Sequence, residues 1–102
     1  MTARIQVEDG ARDELAAVVA WYEERRRALG ADVLAEVRRA LELIARHPLI
    51  GTPVPRVRAE HGSRRLSLRR FPYSIVYRLR DGVVQVIAFA HQSRRPGYWR
   101  AR

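Results

Sequence analysis

The sequence predicts an α+β domain, in the order β-α-α-β-β-β, with a helical hairpin packed on one face of a small antiparallel sheet. Three observations carry this prediction. From Ala11 to His47 the apolar residues recur at helical spacing. From Arg64 to Ala90 they alternate with polar ones at the period of a strand. Within that second region, Asp81-Gly82 is a two-residue hairpin signal of the type I′ kind. At 102 residues the chain fits one domain spanning 1–102.

Each element can be read in turn. Arg4 to Glu8 alternates and gives a short first strand at a sheet edge. Glu8 and Asp9 then place carboxylates beside the unpaired N–H groups of a helix start. The first helix runs from Ala11 to about Leu29, with Leu15, Val18, Val19, Tyr22 and Leu29 as its apolar stripe. Glu23 and Arg27 are spaced to pair on its outer side, and Gly30 is expected to stop it. Asp32 opens a second helix to about His47, with a stripe of Leu34, Val37, Leu41 and Ile44, and Pro48 ends it. The short connection makes the two helices an antiparallel hairpin. Pro48 to Gly62 is a loop. Three strands follow: Arg64–Arg70, Tyr73–Arg80 and Val83–Ala90. An Asp81-Gly82 turn pairs Leu79 with Val84, Tyr77 with Val86 and Ile75 with Ala88, all on the face toward the helices. Val76, Arg78, Gln85, Ile87 and Phe89 fall on the other, arginine-bearing face.

Charge is the strongest compositional signal. The chain has 20 basic and 11 acidic residues, net +9, and every basic residue is Arg. Residues 1–55 hold 8 Arg and 9 acids, net −1, whereas residues 56–102 hold 12 Arg and two acids, net +10. An excess confined to one half implies a polyanion or an acidic protein partner. The absence of cysteine excludes disulfides and thiolate metal sites and suits a cytoplasmic protein. Three scattered histidines offer no zinc site, so no metal and no cofactor is expected. No apolar stretch approaches ~20 residues, so no membrane span is expected.

Several phrases, taken in order, carry a resemblance. The helical hairpin ends in Ala45-Arg46-His47-Pro48-Leu49-Ile50-Gly51, and Gly62-Ser63-Arg64-Arg65 follows. Then come Phe71-Pro72-Tyr73-Ser74-Ile75-Val76-Tyr77-Arg78 and Ala88-Phe89-Ala90-His91-Gln92-Ser93-Arg94-Arg95-Pro96-Gly97-Tyr98-Trp99. Together they resemble the RelE/ParE superfamily of toxins from type II toxin–antitoxin systems, and the last phrase looks most like the ParE-like branch. The resemblance implies a growth-inhibiting toxin neutralised in a hetero-oligomer by a cognate antitoxin that is usually acidic where it binds. ParE-like members act on DNA gyrase. RelE-like members are ribosome-dependent mRNA endoribonucleases that use no metal or cofactor. This sequence departs from the RelE pattern. Ser74 aligns with a basic residue of the middle strand and Gln92 with an Arg beyond the last strand, whereas Tyr98 matches a C-terminal Tyr.

Three readings follow. The first is a ParE-like toxin that inhibits a protein target such as DNA gyrase. The second is a RelE-like nuclease using His91, Arg94 and Tyr98, in which His91 and Arg94, with Tyr98 nearby, would supply the base, acid and cation that metal-free cleavage needs. The third is a non-toxic, basic nucleic-acid-binding module. Expected contacts with target or anion are Arg65, Arg69, Arg70, Arg78, Arg94 and Arg95, with Arg65 and Arg69 on one face of their strand. Expected antitoxin contacts are Trp21, Arg64 and Arg69. Tyr73 and Tyr77 are expected in the core, and Tyr98 and Trp99 to fold back onto it.

Overall fold

A computed structural model describes residues 2–54, 62–94 and 97–101. Strand β1 (Arg4–Val7) leads into helix α1 (Asp9–Arg25) and helix α2 (Leu29–Arg46). Then come β2 (Thr52–Pro53), β3 (Arg64–Ser67), β4 (Tyr73–Arg80), β5 (Val83–His91) and a 3-10 turn, Tyr98–Ala101. The five strands form one sheet in the order β1-β5-β4-β3-β2. The predicted element order is therefore the observed one, with β2 added inside the expected loop. The sheet is mixed: β1 runs parallel to β5, and the remaining pairs are antiparallel.

Both helices lie on one face of this sheet. Their apolar sides meet Leu68, Phe71, Ile75, Tyr77, Val84, Val86 and Phe89 in the main core. Val33 and Ile44, a helical spacing apart on α2, are fully buried there. A second apolar layer forms on the opposite face, where Val54 and Trp99 cover Val76, Ile87, Ala88 and Ala90. That face is consequently half closed, and Trp99 packs as expected.

The junction between the helices differs from expectation. α1 stops at Arg25, and the turn is made by Ala28 in the left-handed region, φ 72°. Gly30 is not the stop; it is buried in the first turn of α2. A Cβ there would stand 2.9 Å from the Val19 carbonyl oxygen, so the glycine serves close helix approach. Glu23 does not pair with Arg27. Its carboxylate accepts the amides of Ala28 and Gly30, both at 2.9 Å, and caps α2. These two backbone bonds hold its pKa below the ordinary carboxylate value.

The register of β5 also differs. Leu79 and Tyr77 pair with Val84 and Val86 as predicted, but Val76 pairs with Ala88 and Ile75 with Phe89. Ile87 is the extra residue of a β-bulge, which shifts the remainder of the strand by one. Phe89 therefore enters the main core and Ala88 the second layer, the reverse of their predicted faces. Leu79 lies beyond this core on the hairpin arm and is exposed.

Tyr77 is fully buried and organises the chain beyond α2. Its hydroxyl donates to the Pro48 carbonyl at 2.7 Å and accepts the Gly51 amide at 2.8 Å. A Cβ on Gly51 would lie 2.7 Å from that hydroxyl, so glycine is required. Burial pushes the phenol pKa above its usual value of about 10.

Candidate functional site

The end of β5 places three of the sequence-predicted residues around one cleft. Tyr73 pairs with His91 at the strand end, and the Gln92 amide donates to the Pro72 carbonyl at 2.8 Å. A tight turn follows, closed by the Arg94 amide on the His91 carbonyl at 2.9 Å. His91 stands edge-on to Tyr73, with ring centres 5.1 Å apart. Its Nδ1 lies 3.0 Å from the Ser93 amide and 2.8 Å from the Ser93 hydroxyl. An amide can only donate, so Nδ1 carries the lone pair and the neutral ring keeps its proton on Nε2.

The chain then returns to the sheet. Tyr98 donates its hydroxyl to Glu14 Oε2 on α1, while Glu14 Oε1 accepts the Phe89 amide at 3.1 Å. The Arg94 guanidinium lies 3.9 Å from the Tyr98 ring centre, a cation–π contact. Arg65, Ser74, His91, Gln92, Arg94 and Tyr98 line a cleft of about 20 Å³, space for a single water. Ser74 is buried, and its hydroxyl lies 3.0 Å from that of Ser67 across the β3–β4 pair. The mid-sheet position at the cleft floor is thus a neutral, already satisfied hydroxyl.

The other predicted contacts are dispersed. Arg65 and Arg78 lie on the sheet face away from the helices, where Arg65 is exposed and Arg78 donates to the Gln85 side chain at 2.7 Å. β3 ends at Ser67, so strand alternation does not reach Arg69, and the expected shared face of Arg65 and Arg69 does not form. Arg69 and Arg70 instead occupy a bend whose amides donate to Glu36 Oε1 at 2.5 and 3.1 Å. Arg70 also reaches Asp32 at 3.6 Å. Arg64 turns inward and donates to the carbonyls of Leu49 and Gly51 at 3.3 and 2.8 Å. Arg95 lies outside the described residues. Trp21 is exposed on α1, with the Arg25 guanidinium 3.6 Å from its ring centre.

Two carboxylates were missed in the sequence. Glu36 is buried, and its Oε2 has no partner among the described residues. Its signal was an acid one residue before Val37, in the apolar stripe. Glu14, beside Leu15 on α1, is the second, and its bonds to Phe89 and Tyr98 leave no signal in the local sequence.

The expected α2 stripe also needs one correction. Leu34 is exposed and lines an open groove with Ile5, Leu15, Val37 and Leu41. Among the described residues no helix is long and apolar enough to cross a membrane.

The family model described as the ParE toxin of the type II toxin-antitoxin system, parDE, matches residues 5–96. The chain belongs to the ParE toxin family. The ParE match thus runs from Ile5 in β1 through both helices to the end of β5, and stops short of the 3-10 turn that carries Tyr98. Comparison with curated proteins returned no match. Among solved structures, the chain is similar to one of the chromosomal ParDE toxin–antitoxin system from P. aeruginosa. The TM-score is 0.74 at 17% identity, with 88% of this chain and 96% of that chain covered. It is also similar to one from the RelBE2 toxin–antitoxin complex of Mycobacterium tuberculosis. There the TM-score is 0.62 at 22% identity, over 89% and 99% of the two chains. These likenesses establish the shared α+β fold.

Proposed function

We propose that this ParE-family chain arrests growth by binding a protein target, DNA gyrase in the reading that the family implies, and is neutralised by a cognate antitoxin. It does so without cutting RNA. The observation that carries this reading is the state of the cleft floor. Metal-free RNA cleavage needs a cation for the phosphorane and a free acid and base. Ser74 offers a neutral hydroxyl already bonded to Ser67, and the Tyr98 hydroxyl is engaged by the Glu14 carboxylate. Antitoxin binding is supported by the toxin–antitoxin complexes among the structural neighbours and by the excess of positive charge in residues 56–102.

The nuclease reading keeps one observation in its favour: His91, Arg94 and Arg65 do border one cleft beside Tyr98. Pulse-labelling after induction in a bacterial host separates the two. Thymidine incorporation should fall first while leucine incorporation holds, and His91→Ala should leave that arrest in place. A first fall in leucine incorporation, abolished by His91→Ala, would overturn the proposal in favour of the nuclease. Co-purification of the chain with the product of a reading frame beside its own tests the antitoxin part.

A further inference from the structure

The loop between α2 and β2 is tied down along its length. The His47 amide donates to the Leu43 carbonyl, and the Ile50 amide to the His47 carbonyl, each at 2.9 Å. The Tyr77 hydroxyl spans the Pro48 carbonyl and the Gly51 amide. Arg64 donates to the carbonyls of Leu49 and Gly51. The carbonyls of His47, Pro48, Leu49 and Gly51 are therefore all engaged within the chain.

What this loop holds in place is turned outward. Leu49 is 66% exposed and Ile50 42% exposed. With Arg46, His47 and Pro48 they line an open hollow of about 550 Å³. Neither side chain belongs to the two apolar layers of the fold. Fixing two aliphatic side chains in water adds no burial to the fold. A preorganised apolar spot beside a cation is, in contrast, the form of a binding hot spot.

Charge and backbone together narrow the occupant. Arg46 stands exposed on the wall of the hollow. Between Glu42 and Glu60 the sequence holds no acid and three arginines. The complementary surface is therefore apolar at its centre and acidic at its rim. An extended segment binds through main-chain bonds, and this loop has spent its carbonyls on Ile50, Tyr77 and Arg64. Recognition falls to the side chains, which suits a folded partner. A second copy of this chain would bring two bodies of net charge +9 together. Two aliphatic side chains are a small payload for holding a membrane surface.

We infer that the Pro48–Ile50 hollow is the surface by which this chain engages its folded protein target, at an apolar site of that target ringed by carboxylates. The inference rests on the reading of a protein target above and specifies which surface meets it. Leu49 and Ile50 supply the apolar contact, and Arg46 meets the carboxylates. Tyr77 and Arg64 keep the loop in its binding shape, so little ordering is required on association. The cleft beside His91 takes no part in this contact.

The test is binding of the full chain to purified DNA gyrase, read by calorimetry beside growth arrest on induction. Leu49→Asp removes an apolar contact and sets a carboxylate against an acidic rim. It should weaken binding by about tenfold or more and abolish arrest. The thermal transition should stay in place and the antitoxin should still co-purify. Arg46→Gln should weaken binding by about threefold and flatten its dependence on salt. Ile50→Thr, which keeps the branched side chain, should also weaken it by about threefold, and gives a second reading if Leu49→Asp lowers the transition. Unchanged binding by Leu49→Asp overturns this proposal while the gyrase reading stands. No binding by the unaltered chain overturns both. Loss of the antitoxin complex in place of gyrase binding assigns the hollow to the antitoxin. Leu49-dependent binding to vesicles of phosphatidylcholine and phosphatidylserine assigns it to a lipid surface. Either of these two results also overturns the proposal.

Discussion

Replacing Tyr77 by Phe removes one oxygen and tests how much of the fold hangs on it. The ring stays in its fully buried site, so the apolar contribution is unchanged. Two hydrogen bonds are lost, from the hydroxyl to Pro48 at 2.7 Å and from Gly51 to the hydroxyl at 2.8 Å. Gly51 is buried, so its N–H is left without water, at a cost of ~1–3 kcal/mol. Pro48 is only half-buried, and its carbonyl can rehydrate, which limits that loss to ~0.5–1.5 kcal/mol. The sum is roughly 2–4 kcal/mol, a fall in Tm of about 10–20 °C for a domain of this size. Urea unfolding should show a lower midpoint at unchanged m-value. The phenol also predicts a pH dependence. Its folded pKa is raised, so its contribution is intact below pH ~10 and is lost as pH climbs through the folded value. Tyr77→Phe should therefore reduce the alkaline loss of stability, leaving the part due to Tyr73, whose pKa burial also raises. A destabilisation under ~0.5 kcal/mol, with the alkaline slope unchanged, would refute the account.

Three further outcomes are expected. Gly30→Ala places a Cβ 2.9 Å from the Val19 carbonyl and should lower the thermal transition, because that neighbour is backbone and must be pushed aside. The usual helix-propensity gain of ~1 kcal/mol would raise it instead if the two helices sat further apart. Glu36→Ala should cost roughly 1–3 kcal/mol in urea unfolding, since it removes the acceptor of the Arg69 and Arg70 amides, which water can then reach. Glu36→Gln, which keeps a carbonyl for both amides, should be much milder. Glu23 has a depressed folded pKa, so its capping contribution is present above the unfolded carboxylate value and is lost as pH falls through the folded one. Acid titration of stability should be shallower in Glu23→Gln.

Element order and helical faces were legible because they rest on periodicity, which a sequence states directly. The Asp81-Gly82 turn was legible too, and Asp81 and Gly82 both have positive φ, 53° and 75°. The bulge at Ile87 was not, because an extra residue in an apolar run leaves the composition unchanged while moving Phe89 to the other face. Gly30 was misread because a glycine between two helical patterns fits a stop and a close approach equally well. Tertiary contact decided for the latter. At the candidate site, His91, Arg94 and Tyr98 were named from their order after the last strand, and the fold does gather them. Their partners were not named. Glu14 meets Tyr98 across 84 positions, and no local pattern reports a bond of that range. The net charge likewise suggested arginines available to an anion or an acidic partner, but Arg64 donates to the carbonyls of Leu49 and Gly51, and Arg70 faces Asp32.

The parallel pairing of β1 with β5 sets an order in time as well as in space. Arg4 cannot find Val83 until nearly the whole sheet has been synthesised. At ~5–20 residues per second, the first strand waits on the order of 4–16 s on the ribosome for its neighbour. The helical hairpin, whose contacts are local, can form well within that interval. The sheet edge, the bulge and the cleft beside His91 all come into being only when the last strand docks. A nascent chain thus carries the helices of the toxin for seconds before it carries the toxin's surface. Any protein made alongside it has that interval in which to arrive.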